Sequence, residues 1–133
     1  MILVDTSVLI DLFKGKNNSS VSIFRDAIHH GVEFGITSVI YQEILQGART
    51  RKEYTLLDEY LRTQRFFYPK HQITSYAGAA DIYFSCRREG ITIRSTIDCL
   101  IAQIVLEHEL FLLHKDKDFT AIASIIDLPI YTR

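Results

Sequence analysis

Hydrophobic and polar positions along the chain follow two alternating patterns. Short unbroken apolar runs at 2–4 and 110–113 are typical of strands buried on both faces, and weaker strand patterns occur at 34–37, 66–68 and 128–131. Between these runs, apolar residues recur at spacings of three and four, as in amphipathic helices. The helical patterns begin near positions 6, 19, 38, 49, 73, 95 and 119, and Ser19 or Ser20 is expected to cap the second of them. Strands that alternate with helices predict an α/β fold with a central parallel sheet covered on both sides.

The opening segment, MILVDTSVLIDL, is the most informative part of the pattern. Asp5 follows the first apolar strand directly, and Thr6 and Ser7 are expected to cap the helix that begins there. A carboxylate at the carboxyl end of a first parallel strand lies where open α/β sheets form their ligand crevice. Asp11, further along the helix, is expected to face solvent or to support the helix.

Composition limits the classes of protein to be considered. A length of 133 residues and a hydrophobic content of 47% predict a single domain, 1–133, with a proper core. The net charge of −1 gives no overall basic field, so a nucleic-acid surface would have to be local. Two cysteines form neither a disulfide framework nor a zinc motif, and the apolar N-terminus is interrupted by acids. We therefore expect a soluble, cytoplasmic protein without a membrane span.

Four carboxylates stand at predicted junctions between elements: Asp5, Glu43, Asp98 and Asp116. A parallel sheet delivers its strand ends and the following helix starts to one edge, so the four side chains are expected to converge. Their mutual repulsion would require a cation, and all-oxygen ligands favour a hard divalent ion, Mg²⁺ or Mn²⁺. Such a site suits hydrolysis of a phosphodiester.

Each acid also has a simpler interpretation that the sequence leaves open. Asp98 completes Ser95-x-x-Asp98, which is close to a capping box. Asp116 and Asp118 could be a turn residue and a helix cap, and Glu43 could lie on a solvated helix face. Asp5 is the hardest to dismiss, because a carboxylate that abuts an apolar strand is rarely left unpaired.

Taken in order, these residues resemble the PIN domain, and in particular its VapC-type toxin branch. The resemblance rests on Asp5-Thr6-Ser7, Ser38 with Glu43, Asp98 followed by Ile101-Ala102, and His114-x-Asp116-x-Asp118-Phe119. It covers nearly the whole chain. It implies a PIN-like, Rossmann-like α/β/α sandwich around a parallel sheet.

The resemblance further implies an endoribonuclease toxin that depends on Mg²⁺ or Mn²⁺, is commonly a homodimer, and is held inactive by a cognate antitoxin protein. It implies that Asp5, Glu43, Asp98 and Asp116 form the catalytic and metal-binding set. Asp118 would be an accessory acid, and the Thr6 hydroxyl would lie near the metal or the RNA phosphate. Ser7 would be a helix cap.

Basic residues near these acids are candidates for contact with RNA. Lys115 and Lys117 flank Asp116 and could hold phosphates, and Arg49 and Arg51 follow the Glu43 helix. For the two arginines, an exposed helix face is an equal alternative. The aromatic side of the helix near 73–89, with Tyr76, Tyr83 and Phe84, is interpreted most simply as core, or else as a subunit or antitoxin interface.

Two other interpretations of the sequence would assign the protein to different functional classes. A receiver-like signalling module would need an acid pair after the first strand and a phosphoacceptor after a central strand, whereas Thr6-Ser7 and Pro69 stand at those places. A non-catalytic, partner-binding PIN-like protein would be expected to lack one of the acids, and this chain lacks none of them.

Overall fold

The computed structural model describes residues 1–132 and has a four-stranded parallel sheet at its centre. The strands, in chain order, are β1 (Ile2–Val4), β2 (Phe34–Ile36), β3 (Arg65–Phe66) and β4 (Phe111–Leu113). Their spatial order is β3-β2-β1-β4, so the first strand lies inside the sheet between β2 and β4. The α/β class predicted from the sequence is confirmed.

Seven helices cover this sheet, and each corresponds to a predicted helical pattern. They are α1 (Thr6–Phe13), α2 (Ser19–His29), α3 (Ser38–Gln46), α4 (Arg51–Arg62), α5 (Thr74–Arg88), α6 (Thr96–Glu107) and α7 (Lys117–Ala123). One continuous hydrophobic core contains all three residues of β1 and draws side chains from every helix layer. Among residues 1–132, no helix combines the length and the apolar character needed to cross a membrane.

The sheet order excludes the receiver-like alternative. Receiver-type sheets run 2-1-3-4-5, with the phosphoacceptor after a strand inside the sheet. Here β3 is an edge strand of two residues, and it leads through Tyr68 into Pro69 without an acid.

Two predicted helix caps are wrong because the neighbouring residue takes the role. Asp5, not Thr6 or Ser7, is the N-cap of α1: its backbone is extended and its carboxylate accepts the Ser7 N–H. Asn18, not Ser19 or Ser20, caps α2 in the same way. Capping therefore already fixes the orientation of the Asp5 side chain.

The predicted final strand at 128–131 is reduced to a single bridge. Leu112 pairs with Ile130, and the Leu112 N–H donates to the Pro129 carbonyl at 2.8 Å. Pro129 has no N–H to donate, which keeps the ladder from extending across this segment.

The prediction that the aromatic side of α5 is core holds for Tyr83, which is partly buried against the core, but is wrong for Tyr76 and Phe84. Tyr76 and Phe84 are 53% and 57% exposed, and the buried face of the helix is formed by Ser75, Ala79, Ile82 and Cys86. Tyr76, Tyr83 and Leu100 instead line an open apolar groove of about 410 Å³ between α5 and α6.

Candidate active site

The strand register brings two of the acids together at the carboxyl edge of the sheet. Val4 of β1 lies opposite Leu113 of β4, and the Asp5 N–H donates to the Leu113 carbonyl at 2.9 Å. Asp116 lies three residues beyond the end of β4 and is the N-cap of α7. Two adjacent strands therefore deliver the two carboxylates to one place.

A tighter cluster consists of Asp98, Asp116 and Asp118. One carboxylate oxygen from each residue lies within 4.8 Å of the other two. Asp98 is in the first turn of α6 and Asp118 is in the first turn of α7, so two helix starts and one strand end meet here. Asp118, which was predicted to be an accessory acid, lies within the same 4.8 Å of Asp98 and Asp116.

Short hydrogen bonds fix the orientation of Asp5 and Asp116. The Ser7 hydroxyl donates to Asp5 Oδ2 at 2.6 Å, and the Ser7 N–H adds a second bond at 3.2 Å. The Asp116 N–H donates to His114 Nδ1 at 3.0 Å, and burial lowers the pKa of His114. The neutral imidazole is thus a support for the Asp116 backbone.

Glu43 forms the exposed rim of the site. It lies on α3, and its Oε1 accepts a hydrogen bond from the Thr6 hydroxyl at 3.3 Å. Partial burial, followed by the charges of Asp5 and Asp116, raises the pKa of Glu43. Thr6 therefore contacts the site through Glu43. We refer to Asp5, Glu43, Asp98, Asp116 and Asp118 as the acidic cleft.

The electrostatics of the cleft favour a bound cation. Burial raises the pKa of Asp98 to about 7, and the charges of Asp116, Asp5, Asp118 and Glu43 add to the effect. Burial also raises the pKa of Asp5, against the lowering effect of its bonds to Ser7. Asp98 Oδ2 is buried and has no hydrogen-bond partner among the described residues. A buried oxygen without a donor, beside several carboxylates, fits a hard divalent ion.

The alternative interpretations of the acids hold in part. Asp5 and Asp116 do cap helices, as the Asp116 carboxylate accepts the Asp118 N–H at 2.9 Å. The capping box at Ser95 does not form, because the Ser95 side chain makes no cap hydrogen bond and Asp98 Oδ2 is left without a partner. Capping therefore does not account for the position of Asp98.

The predicted basic residues are distributed unevenly around the cleft. The Lys115 ammonium binds Asp11, while Lys117 is exposed at the start of α7. Arg49 donates its N–H to Glu53, and the Arg51 guanidinium lies 4.8 Å from the centre of the Tyr54 ring. Both described contacts lie at the start of α4, and neither involves an acid of the acidic cleft.

Two residues near the cleft did not stand out from the sequence. Asp11 was expected to face solvent, but it is 4% exposed. It follows the buried Val8 by three residues, so its helical position already indicated the core-facing side. Arg94 precedes α6, and its N–H donates to Asp118 Oδ2 at 3.1 Å. Its guanidinium is 3.7 Å from Asp118 Oδ1 and 76% exposed.

Comparison with known proteins agrees with this geometry. The family model for the PIN domain matches residues 2–125, and the chain belongs to the PIN domain family, as the sequence predicted. VapC ribonuclease Mb1587 of Mycobacterium bovis and ribonuclease VapC11 of Mycobacterium tuberculosis are each 33% identical to it over 129 residues. The alignment covers 96% of this chain and 96% of each relative.

Solved structures show the same fold at lower identity. A chain of VapBC-1 from nontypeable Haemophilus influenzae is 20% identical, with a TM-score of 0.75 over 98% of this chain and 97% of that one. A chain of VapBC2 from Rickettsia felis, solved with a DNA fragment from its promoter, is 15% identical. It also has a TM-score of 0.75, over 98% of both chains.

Proposed function

We propose that this protein is a VapC-type toxin that hydrolyses RNA phosphodiester bonds with Mg²⁺ or Mn²⁺. The observation that carries the proposal is the buried Oδ2 of Asp98, which lacks a partner beside Asp116 and Asp118. An uncompensated buried charge is costly, so such an arrangement is retained where a cation binds it. The names of the mycobacterial relatives, both ribonucleases, support RNA as the substrate.

Within this proposal, Asp98, Asp116, Asp118 and Asp5 would hold the ion, with Glu43 nearest to solvent. A divalent ion bound there would activate a water and stabilise charge on the phosphate oxygens. Ser7 orients Asp5, and Thr6 orients Glu43, through the hydrogen bonds described above. The exposed Glu43, with its raised pKa, is the acid best placed to accept a proton at a carboxylate oxygen and pass it to solvent.

The proposal also covers the domain organisation of the protein, its location in the cell and its protein partners. We infer that residues 1–133 form a single PIN domain that acts in the cytoplasm and is inhibited by a cognate antitoxin protein. The antitoxin partner is supported by a structural neighbour from Klebsiella pneumoniae, which is a chain of a toxin–antitoxin complex. A homodimer would cover exposed aromatic side chains such as Tyr76 and Phe84 on α5.

The non-catalytic alternative has less support. A partner-binding PIN-like protein has no need for an acid set that is complete, close together and partly buried. All five acids of the cleft are present, and three of them approach within 4.8 Å.

Purified protein incubated with total cellular RNA tests the proposal. We expect cleavage that needs added Mg²⁺ or Mn²⁺, stops with EDTA, and leaves 5′-phosphate and 3′-hydroxyl ends on sequencing. The matched control is Asp81→Asn, which removes an exposed acid on α5 and should cleave like the wild type. RNA that stays intact with either ion, in a correctly folded preparation freed of antitoxin, would favour the non-catalytic alternative.

Arg94 is expected to bind a phosphate of the RNA, because its exposed guanidinium stands beside Asp118 at the rim of the cleft. Arg94→Gln should raise KM for RNA about 5–10-fold, close to the loss expected of one base-independent contact, and leave kcat within about 2-fold. A plot of log KM against log salt concentration should have a smaller slope for this variant, and the decrease should correspond to the loss of about one phosphate contact.

Arg25→Gln is the control for this measurement, since it removes the same charge from α2, where Arg25 bonds to Asn17. An equal rise in KM for both variants would show that only net charge matters and that Arg94 makes no specific contact.

A further inference from the structure

Asp11 is a buried carboxylate for which the proposed chemistry has no use. It lies on α1, is 4% exposed, and is not one of the acids of the acidic cleft. Its charge is compensated within the protein: the Lys115 ammonium binds Oδ2, Asn18 Nδ2 donates to the same oxygen at 2.8 Å, and Lys16 Nζ is 3.7 Å from Oδ1. These contacts lower the pKa of Asp11.

Lys115 is attached to α1 at a second point. Its backbone N–H donates to Ser7 Oγ at 3.2 Å, and the Ser7 hydroxyl in turn donates to Asp5 Oδ2 at 2.6 Å. Lys115 therefore links the loop from β4 to α7 to α1 through both its side chain and its backbone N–H. Asp116 is the next residue of that loop.

The two attachments oppose a repulsion. Asp5 caps the start of α1 and Asp116 lies at the end of this loop, and two carboxylates brought close together repel each other. The strand ends are joined by the bond from the Asp5 N–H to the Leu113 carbonyl, and the contacts of Lys115 add two links that hold α1 and the loop together. An ion pair outside the cleft can do so without competing for the ligand oxygens.

We propose that Asp11 and Lys115 form a clamp that holds Asp116 against Asp5, so that the metal ligands are in place before the ion binds. The clamp is a positioning device and touches neither the ion nor the RNA. It rests on the metal site of the proposed function. It also reassigns Lys115, which the sequence suggested as a phosphate contact, to support of the site.

Mn²⁺ binding to the full chain, measured by calorimetry without RNA, distinguishes support of the metal site by Lys115 from contact of Lys115 with an RNA phosphate. We expect Asp11→Asn and Lys115→Met each to weaken Mn²⁺ affinity by about 10–100-fold, as loss of groups behind metal ligands does. The double variant should bind Mn²⁺ with no lower affinity than the single variant that binds it less tightly, because the two residues act as one unit. Lys115→Arg, which keeps the charge, should restore affinity to within about 3-fold of the wild type.

Lys16→Met is the matched control. It removes a lysine charge from the same carboxylate, but the described contacts of Lys16 are to Asp11, within its own segment of the chain. Its Mn²⁺ affinity should stay within about 2-fold of the wild type. A purely electrostatic effect would instead raise Mn²⁺ affinity in both lysine variants, because each loses a positive charge near the cleft.

The outcomes separate the clamp from the proposed nuclease. If the wild type binds Mn²⁺ and both clamp variants bind it equally well, the clamp is refuted while the nuclease stands. A Lys115→Met variant that binds Mn²⁺ normally but has a raised KM for RNA would assign Lys115 to phosphate binding instead. If the wild type binds Mn²⁺ and the variants bind it weakly, but no RNA is cleaved, the clamp stands and the nuclease fails. Should Asp11→Asn not fold, Lys115→Met and Lys115→Arg give the same decision, since Lys115 is exposed along 45% of its side chain.

Discussion

Asp98→Asn is expected to abolish RNA cleavage while making the metal-free protein more stable. The substitution keeps the shape of the side chain but removes an anionic ligand from the centre of the cleft. Because loss of groups behind a ligand already costs 10–100-fold, loss of the ligand itself should reduce kcat/KM by more than about 100-fold. The gain in stability follows from the same burial that raises the pKa of Asp98 to about 7.

The sign of the pH dependence follows from linkage. Asp98 binds its proton more tightly in the folded protein, where its pKa is about 7, than in the unfolded chain, where it is near 3.8. The metal-free wild type should therefore lose stability as pH rises from about 4 through 7. At pH 8 the Asn variant avoids this penalty, which at about 1.4 kcal/mol per pKa unit amounts to at most about 4 kcal/mol.

Thermal or urea unfolding in EDTA at pH 5 and pH 8 measures this effect. The gain in the free energy of unfolding should be large at pH 8 and small at pH 5. Asp11→Asn is the control of opposite sign, because the pKa of that buried carboxylate is lowered by Lys115 and the variant should be less stable at pH 8. An Asp98→Asn variant that is destabilised at pH 8, and active in its folded fraction, would show that Asp98 is a structural residue.

Adding Mn²⁺ to the metal-free wild type should produce the second large effect. An ion that binds only the folded state, at 100 times its Kd, stabilises it by about 2.7 kcal/mol. For a chain of this size, that corresponds to a rise in Tm of roughly 5–10 °C. The rise should be larger at pH 8 than at pH 5.5, because the carboxylates must lose their protons to bind the ion.

Differential scanning calorimetry of two Asn variants gives this prediction its control. Asp98→Asn should lose most of the rise in Tm, whereas Asp81→Asn, which removes an exposed acid from α5, should keep all of it. An equal rise in both variants would indicate weak binding to the general acidic surface and not to the cleft.

The sequence could predict the parts of the site that local pattern determines. Asp5 directly follows an apolar strand, and Asp116 follows another, so parallel pairing alone brings them to one edge. Asp98 could be placed because it opens a helix that is largely apolar. Helix positions were also predicted well, because each helix carries a periodic apolar face.

What the sequence could not show depends on contacts between distant segments. The central position of Asp118 depends on how α7 packs against α6, and its link to the Arg94 N–H joins residues 24 positions apart. The partner that compensates the charge of Asp11 is Lys115, 104 positions away. The exposed aromatics of α5 looked like core because composition does not show which of two adjacent helix faces packs against α6.

The most direct test of the central claim is a crystal structure with Mn²⁺, with anomalous diffraction measured at the manganese edge. We expect a manganese peak in the acidic cleft, within direct coordination distance of Asp98 and Asp116 and of at least one of Asp5 and Asp118. A cleft without a peak at a saturating Mn²⁺ concentration, or a manganese ion held only by residues outside it, would contradict the proposed metal site.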